Sequence, residues 1–222
     1  MSAPFQFRDR HDAGRQLGEH LQHLRSEQPI VLGLARGGVP VAFEVARALS
    51  SPLDVLVVRK LGVPSHVELA FGAIGENDTR TLNPELIQRL GLSRRRIARV
   101  IERERAELAR RVERYRNGRP ALELIGRTVI IVDDGLATGA SARVAVDVAR
   151  TREAGQIVVT VPVSPQETNR ELQELAIEVI SLQVPPRFRS VGEWYDDFSQ
   201  TSDDEVASLL HQASNPEEGT DK

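Results

Sequence analysis

Apolar positions along the first fifty residues change period twice. Leu17, Leu21 and Leu24 recur at helical spacing, which predicts a helix over residues 12–25 with Asp12 as its N-cap. Pro29 ends it, and residues 30–34 form an unbroken apolar run of strand length. The turn Ala35-Arg36-Gly37-Gly38 follows, then a helical pattern over 39–49 that tolerates Pro40 in its first turn. The alternation continues with strands over 53–58, 128–132, 157–163 and 177–182. Helices are expected over 141–153, 165–176 (started by Ser164) and, as a short closing element, 203–211. Residues 93–116 carry a stripe of Ile97, Ile101, Leu108, Val112 and Tyr115 on one long helix, closed by Asn117-Gly118 and Pro120. Residues 61–83 show no clear period and read as a loop or loose hairpin. Fully apolar strands alternating with helices imply a mostly parallel sheet flanked by helices on both faces, an α/β fold.

Composition narrows this little. A chain of 222 residues fits one domain, or one domain with an excursion. With 40% hydrophobic and 27% charged residues it is an ordinary globular chain, and a formal net charge of -3 gives it no general attraction to nucleic acid or anionic membrane. Zero Cys excludes disulfides, thiolate metal sites and a Cys nucleophile, and fits a cytoplasmic location. The polar N-terminus M-S-A-P-F-Q-F-R-D-R-H-D lacks a signal peptide's apolar segment. No apolar run approaches the roughly 18 residues of a membrane span.

The chemistry gathers where strands end. Residues 129–141, V-I-I-V-D-D-G-L-A-T-G-A-S, run from a buried-type strand to two adjacent carboxylates and a turn of small residues before a helix. Ligands bind at the carboxyl ends of strands in open parallel sheets. Amides at a helix N-terminus suit a phosphate, and small side chains let its oxygens approach. Thr138 and Ser141 add hydroxyl donors. Asp133 and Asp134 are acceptors, suited to a sugar's vicinal hydroxyls or to a hydrated cation. A phosphate site beside a diol site describes a ribose 5-phosphate.

This stretch resembles the phosphoribosyl pyrophosphate (PRPP) motif of the type I phosphoribosyltransferases. The resemblance implies a parallel-sheet core with a small hood and a mobile loop. It also implies Mg2+, and transfer of ribose 5-phosphate from PRPP to a nucleobase or similar nitrogen nucleophile with loss of pyrophosphate. It places Asp133 and Asp134 on the ribose hydroxyls and Ala137, Thr138, Gly139, Ala140 and Ser141 on the 5-phosphate. Ala35, Arg36, Gly37 and Gly38 resemble the family's pyrophosphate loop, which often carries a non-proline cis peptide, here expected at Ala35-Arg36. Two glycines free backbone amides there and Arg36 supplies a fork of donors for a diphosphate. Arg59 and Lys60 resemble the basic pair that faces the pyrophosphate. Residues 61–77 take the place of the mobile catalytic loop, with Glu68 and His66 as candidates for handling the proton. The stretch V-P-P-R-F-R-S-V-G-E-W-Y-D-D-F, residues 184–198, resembles a purine-enzyme pattern with one residue inserted. By that resemblance Phe188, with Trp194 nearby, serves the base, and Asp196 touches Mg2+ or pyrophosphate. Ala137 stands where the hypoxanthine-guanine members have an Asp, so the sequence is closer to the adenine branch.

The helix over 94–116 holds ten Arg against four Glu. Its stripe reads either as a nucleic-acid contact or as a solvated face with ion pairs such as Glu107–Arg111; the acidic chain and the lack of interleaved aromatics favour the second. The expected organisation is one domain over 1–212, with 61–120 as loop plus Arg-rich helix and 184–200 as hood, then a disordered tail over 213–222. The partners implied are PRPP and a nucleobase-like molecule, no membrane, and by family habit a homodimer. Two rival readings stay open: a non-catalytic PRPP or nucleotide sensor, and a sugar-phosphate enzyme of another reaction class.

Overall fold

In the computed structural model, which describes residues 6–63, 66–175 and 177–215, the chain departs early from β1 and returns to its other side much later. Strand β1 (Ile30–Leu34) pairs in parallel with β2 (Leu53–Leu56) on one flank and with β6 (Thr128–Val132) on the other. Strands β7 (Gln156–Val163) and β8 (Glu178–Gln183) extend that second side, giving the all-parallel order β2-β1-β6-β7-β8. Strand order therefore reverses between β1 and β6, the place where ligands settle in open α/β sheets.

Both faces of the inner strands β1, β6 and β7 are dry, which explains their unbroken apolar runs, while β8 at the edge is half-buried. Val31, Ile130 and Val132 pack into one cluster with Leu17, Leu21, Val41, Val45 and Leu209. These come from helices α1 (Arg10–His20), α2 (Gly38–Leu49) and α7 (Asp203–Ser214), and from the turn that follows α1. Ile30, Leu32, Val129 and Ile131 pack into the opposite cluster with Ala142, Val144, Ala145 and Val148 of α5 (Ala140–Thr151) and Leu172 of α6 (Gln166–Gln173).

Several boundaries differ from the expected ones for local reasons. The N-cap of α1 is Asp9, whose Oδ1 accepts from the Asp12 N–H at 2.7 Å, so Asp12 sits inside the first turn. Pro165, not Ser164, precedes α6 and offers no side-chain cap. Helix α7 runs through Ala213 to Ser214, held at its start by a Ser202–Glu205 capping box; residues 216–222 of the expected tail lie outside the described residues.

The region 61–83 is ordered as a second sheet. Strands β3 (Arg59–Val63), β4 (His66–Ile74) and β5 (Arg80–Leu82) are antiparallel, with irregular register between Lys60 and Val63. Glycines at 62, 72 and 75 blur the alternation of this stretch, which hides it from a periodicity reading. Leu61, Val63 and Phe71 are buried together with Val100, Ile101 and Leu108 of α4 (Arg94–Arg116) and Leu86 of the short α3 (Pro84–Arg89). A small hood closes the other side: Phe7 bridges to Tyr195, its N–H donating to Trp194 O and its carbonyl accepting from Asp196 N, both at 2.8 Å.

Candidate functional site

Gly33 of β1 lies opposite Val132 of β6, so the turns after these two strands leave the same sheet edge side by side. Helix α2 follows the first turn and α5 the second, and no side chain caps either N-terminus. The first-turn amides of α5 are left for a ligand, whereas in α2 Val39 N already donates to Arg36 O at 3.1 Å and Pro40 has no N–H, which leaves the Gly38 amide. The glycines make the close approach possible. A Cβ on Gly37 would fall 2.1 Å from Asp134 Oδ2. Gly139 caps α5 at φ +67, a left-handed conformation natural to glycine, and Thr168 Oγ1 ties down the same turn by donating to Ala137 O at 2.7 Å. The Ala35–Arg36 peptide is cis, as the resemblance implies.

The turn after β6 borders a cavity of about 180 Å³ lined by Asp133, residues 135–142, Lys60 and Val191; residues 35–38 lie outside that lining. One acid of the pair, the small-residue turn and one cation thus share one small space. Asp133 Oδ1 accepts from the Asp134 N–H at 2.9 Å. Burial pushes the Asp133 carboxyl well above the usual carboxylate range, and the neighbouring Asp134 adds to the rise while Arg10 and Lys60 oppose it. Asp134 is also raised by burial, against the Arg10 guanidinium.

Other residues singled out from the sequence are spread more widely. Asp134 Oδ2 accepts from Arg10 Nε at 2.8 Å, and the residue is not part of the cavity lining. Arg36 reaches toward α7, its Nη1 3.8 Å from Asp203 Oδ1. The same Asp203 carboxylate accepts from Tyr115 Oη at 2.6 Å, and burial together with that bond pushes the Tyr115 phenol up to about 12. Arg59 donates twice to Glu104 Oε2, at 3.0 and 2.7 Å, fastening α4 to β3. Phe188 lines a different groove, about 830 Å³, beside Pro165, Glu167 and Val184. Trp194 packs with Phe7 and Tyr195 in the hood. Asp196 is exposed. The side chains of Glu68 and His66 lie outside the described residues.

Sequence reasoning missed Arg10 and Tyr195. Arg10 sits in a charged, patternless segment, and Tyr195 is one aromatic among several; only the fold brings both to Asp134. Among the described residues no cluster of three His, Asp or Glu side chains could hold a metal ion. A Mg2+ ion that keeps its waters and travels with a diphosphate needs only one or two carboxylates, and Asp133 on the cavity wall fits that part. Among the described residues no helix is long and apolar enough to cross a membrane.

This arrangement of an acid, an amide-lined turn and a glycine loop at the β1–β6 edge defines a class. The chain belongs to the phosphoribosyl transferase domain family, whose pattern matches residues 10–196. A Mycobacterium tuberculosis protein provisionally named a phosphoribosyl transferase is 50% identical over 207 residues, 93% of this chain and 47% of that protein. The chain thus spans about half the length of the curated relatives it matches. The crystal structure of TT1426 from Thermus thermophilus is similar with a TM-score of 0.78 and 43% identity, covering 93% of this chain and 98% of that one.

Proposed function

We propose that this chain is a cytoplasmic, Mg2+-dependent phosphoribosyltransferase that moves ribose 5-phosphate from PRPP to a nucleobase or a similar nitrogen nucleophile. The observation that carries the reading is the shared cavity of Asp133, the turn at 137–141 and Lys60. Its volume of about 180 Å³ is on the scale of the ribose 5-phosphate part of PRPP, with the diphosphate and the acceptor extending beyond it. The turn's amides with Thr138 and Ser141 take the 5-phosphate, and Asp133 accepts from a ribose hydroxyl. The amides of Gly37 and Gly38 and the Lys60 ammonium face the diphosphate.

In the reaction the bond from the anomeric carbon to the pyrophosphate oxygen breaks, and its electron pair leaves with pyrophosphate. A nitrogen lone pair of the acceptor forms the new bond, and the acceptor's proton passes to a base, for which Glu68 is our candidate. Lys60 stabilises charge growing on the leaving group, an electrostatic task. Mg2+, when bound, would neutralise diphosphate oxygens.

A second reading, a PRPP-binding regulatory protein without turnover, is favoured by one observation. Arg36 and Arg59, the expected pyrophosphate cations, pair with Asp203 and Glu104, leaving Lys60 on the cavity. A pyrophosphate-release screen with PRPP, Mg2+ and a panel of purines, pyrimidines and simple amines separates the readings. Release that depends on one acceptor supports transfer. PRPP binding with no release on any acceptor supports the sensor. Ribose 5-phosphate formed without an acceptor marks a hydrolase instead.

A further inference from the structure

We propose that the outward face of the N-terminal half of α4 is a docking strip for the phosphate backbone of a DNA duplex. This surface lies outside the cavity, and the inference goes beyond the transferase reading without depending on it.

Helix α4 divides into halves of different electrostatics. From Arg105 onward each of its arginines is paired with a carboxylate. Before that point Arg94, Arg95, Arg96 and Arg99 are exposed and pair with no carboxylate among the described residues. Arg103 reaches Glu104 at 2.9 Å, a carboxylate already held by Arg59, and its side chain stays 68% exposed. Residues 94–103 hold five Arg and one Glu, so the local charge is opposite to that of the chain as a whole.

The buried residues Val100, Ile101, Glu104 and Leu108 mark the inward side of the helix. At about 3.6 residues per turn, Arg95, Arg99 and Arg103 fall on the opposite side in a row about 12 Å long. Ala98 and Ala106, exposed beside the row, add no bulk that would keep a partner away.

This row works against the stability of its own helix. Arginines at i, i+4 repel one another, and cations in the first turn oppose the positive end of the helix dipole. Elsewhere the chain obeys the second rule: α1, α3, α6 and α7 each carry an acid in the first turn. Helices α2, α4 and α5 carry none, and α2 and α5 begin at the glycine loop and at the cavity turn, where helix amides suit anions. The start of α4 has the same acid-free character, on an exposed surface and with four arginines added.

A row of guanidiniums without an apolar centre suits a line of phosphates. It does not suit a protein partner, whose interface has an apolar centre, or a membrane, into which an apolar face must insert. Residues 94–114 contain no aromatic side chain to stack on an unpaired base, so a duplex fits better than a single strand. The major groove of B-form DNA admits an α-helix and the deep groove of A-form RNA does not, which favours DNA. Contacts to phosphate carry no base information, so binding is independent of sequence.

The test adds the full chain to a fluorescently labelled, mixed-sequence DNA duplex of about 20 base pairs and reads anisotropy between about 50 and 200 mM salt. Wild type should bind, with log affinity falling against log salt at a slope of about −4 to −5, the value for about five phosphate contacts. Arg95→Ala should weaken binding to unrelated sequences alike and reduce the slope by about one. Arg95→Glu/Arg99→Glu should weaken binding by about tenfold or more at the lowest salt, while melting no lower than wild type, because acids there suit the dipole. Arg25→Glu/Arg47→Glu makes the same change in net charge on exposed side chains away from α4, and should bind within about threefold of wild type.

No binding by wild type at the lowest salt overturns the docking strip, and so does equal weakening in the two double variants. Tighter binding to a single strand or an RNA duplex of the same length, to phosphatidylserine vesicles or to polyglutamate overturns the choice of partner. If the charge-reversed chain does not fold, the slope of Arg95→Ala decides: an unchanged slope removes the row from the contact.

Discussion

A carboxylate buried on the wall of a narrow cavity works against stability. Asp133 is held above its ordinary range mainly because burial disfavours the charged form, with Asp134 adjacent. The folded chain therefore binds this proton more tightly than the unfolded chain. Stability from this group is present below its unfolded pKa, about 4, and is lost as pH rises toward the folded value. Asp133→Asn removes that loss. We expect the variant to melt a few degrees higher than wild type at neutral pH, the scale on which about 1 kcal/mol reads in a domain of this size, with the gain shrinking toward about pH 4. Thermal melts at the two pH values check this, and a gain that is the same at both would contradict it. At this scale the sequence was legible where residues are contiguous. Asp133, Thr138 and Ser141 share one turn, and local order alone puts them together. Arg10 was not legible because its partner is 124 positions away.

Among the elements, the Arg-rich helix α4 shows how differently similar ion pairs behave. Arg116 is buried and donates to Asp54 Oδ1 at 2.9 Å, to Glu76 Oε2 at 2.7 Å and to Val55 O at 3.0 Å. It joins the last turn of α4 to the edge strand β2 and to the 3-10 turn Glu76–Asp78 that follows β4. Arg116→Leu leaves two carboxylates buried without their cation and should cost about 3–5 kcal/mol, read as a lowered urea midpoint. At the other extreme, Glu107 accepts from Arg110 and Arg111 at 2.8 Å in a solvated setting, and those bonds hold its carboxyl down to about 2. Screening leaves such a pair worth little, so Glu107→Gln should change stability by less than about 1 kcal/mol in the same measurement. Equal effects in the two variants would refute this distinction. The helix and the Glu107–Arg111 pair were readable from spacing alone. The burial of Arg116 was not, because a sequence gives no sign of which arginine of a run faces inward. The sheet over 59–82 was likewise hidden, since glycines interrupt its alternation and its apolar side is completed by α4, remote in sequence.

For the molecule as a whole, the alternation of apolar strands and helices was enough to give the parallel sheet, and the residues at the strand ends were enough to give the family. Strand order was not legible, because the return of β6 to the far side of β1 depends on packing of the whole region between them. That return creates the edge on which the glycine loop, the acid pair and the small-residue turn meet. The most direct test follows backbone amide resonances of the full chain while PRPP is added in Mg2+. The account predicts saturable shifts centred on residues 137–141, Gly37, Gly38 and Asp133. Saturable shifts confined to the groove around Phe188, with the 137–141 amides unmoved, would contradict it.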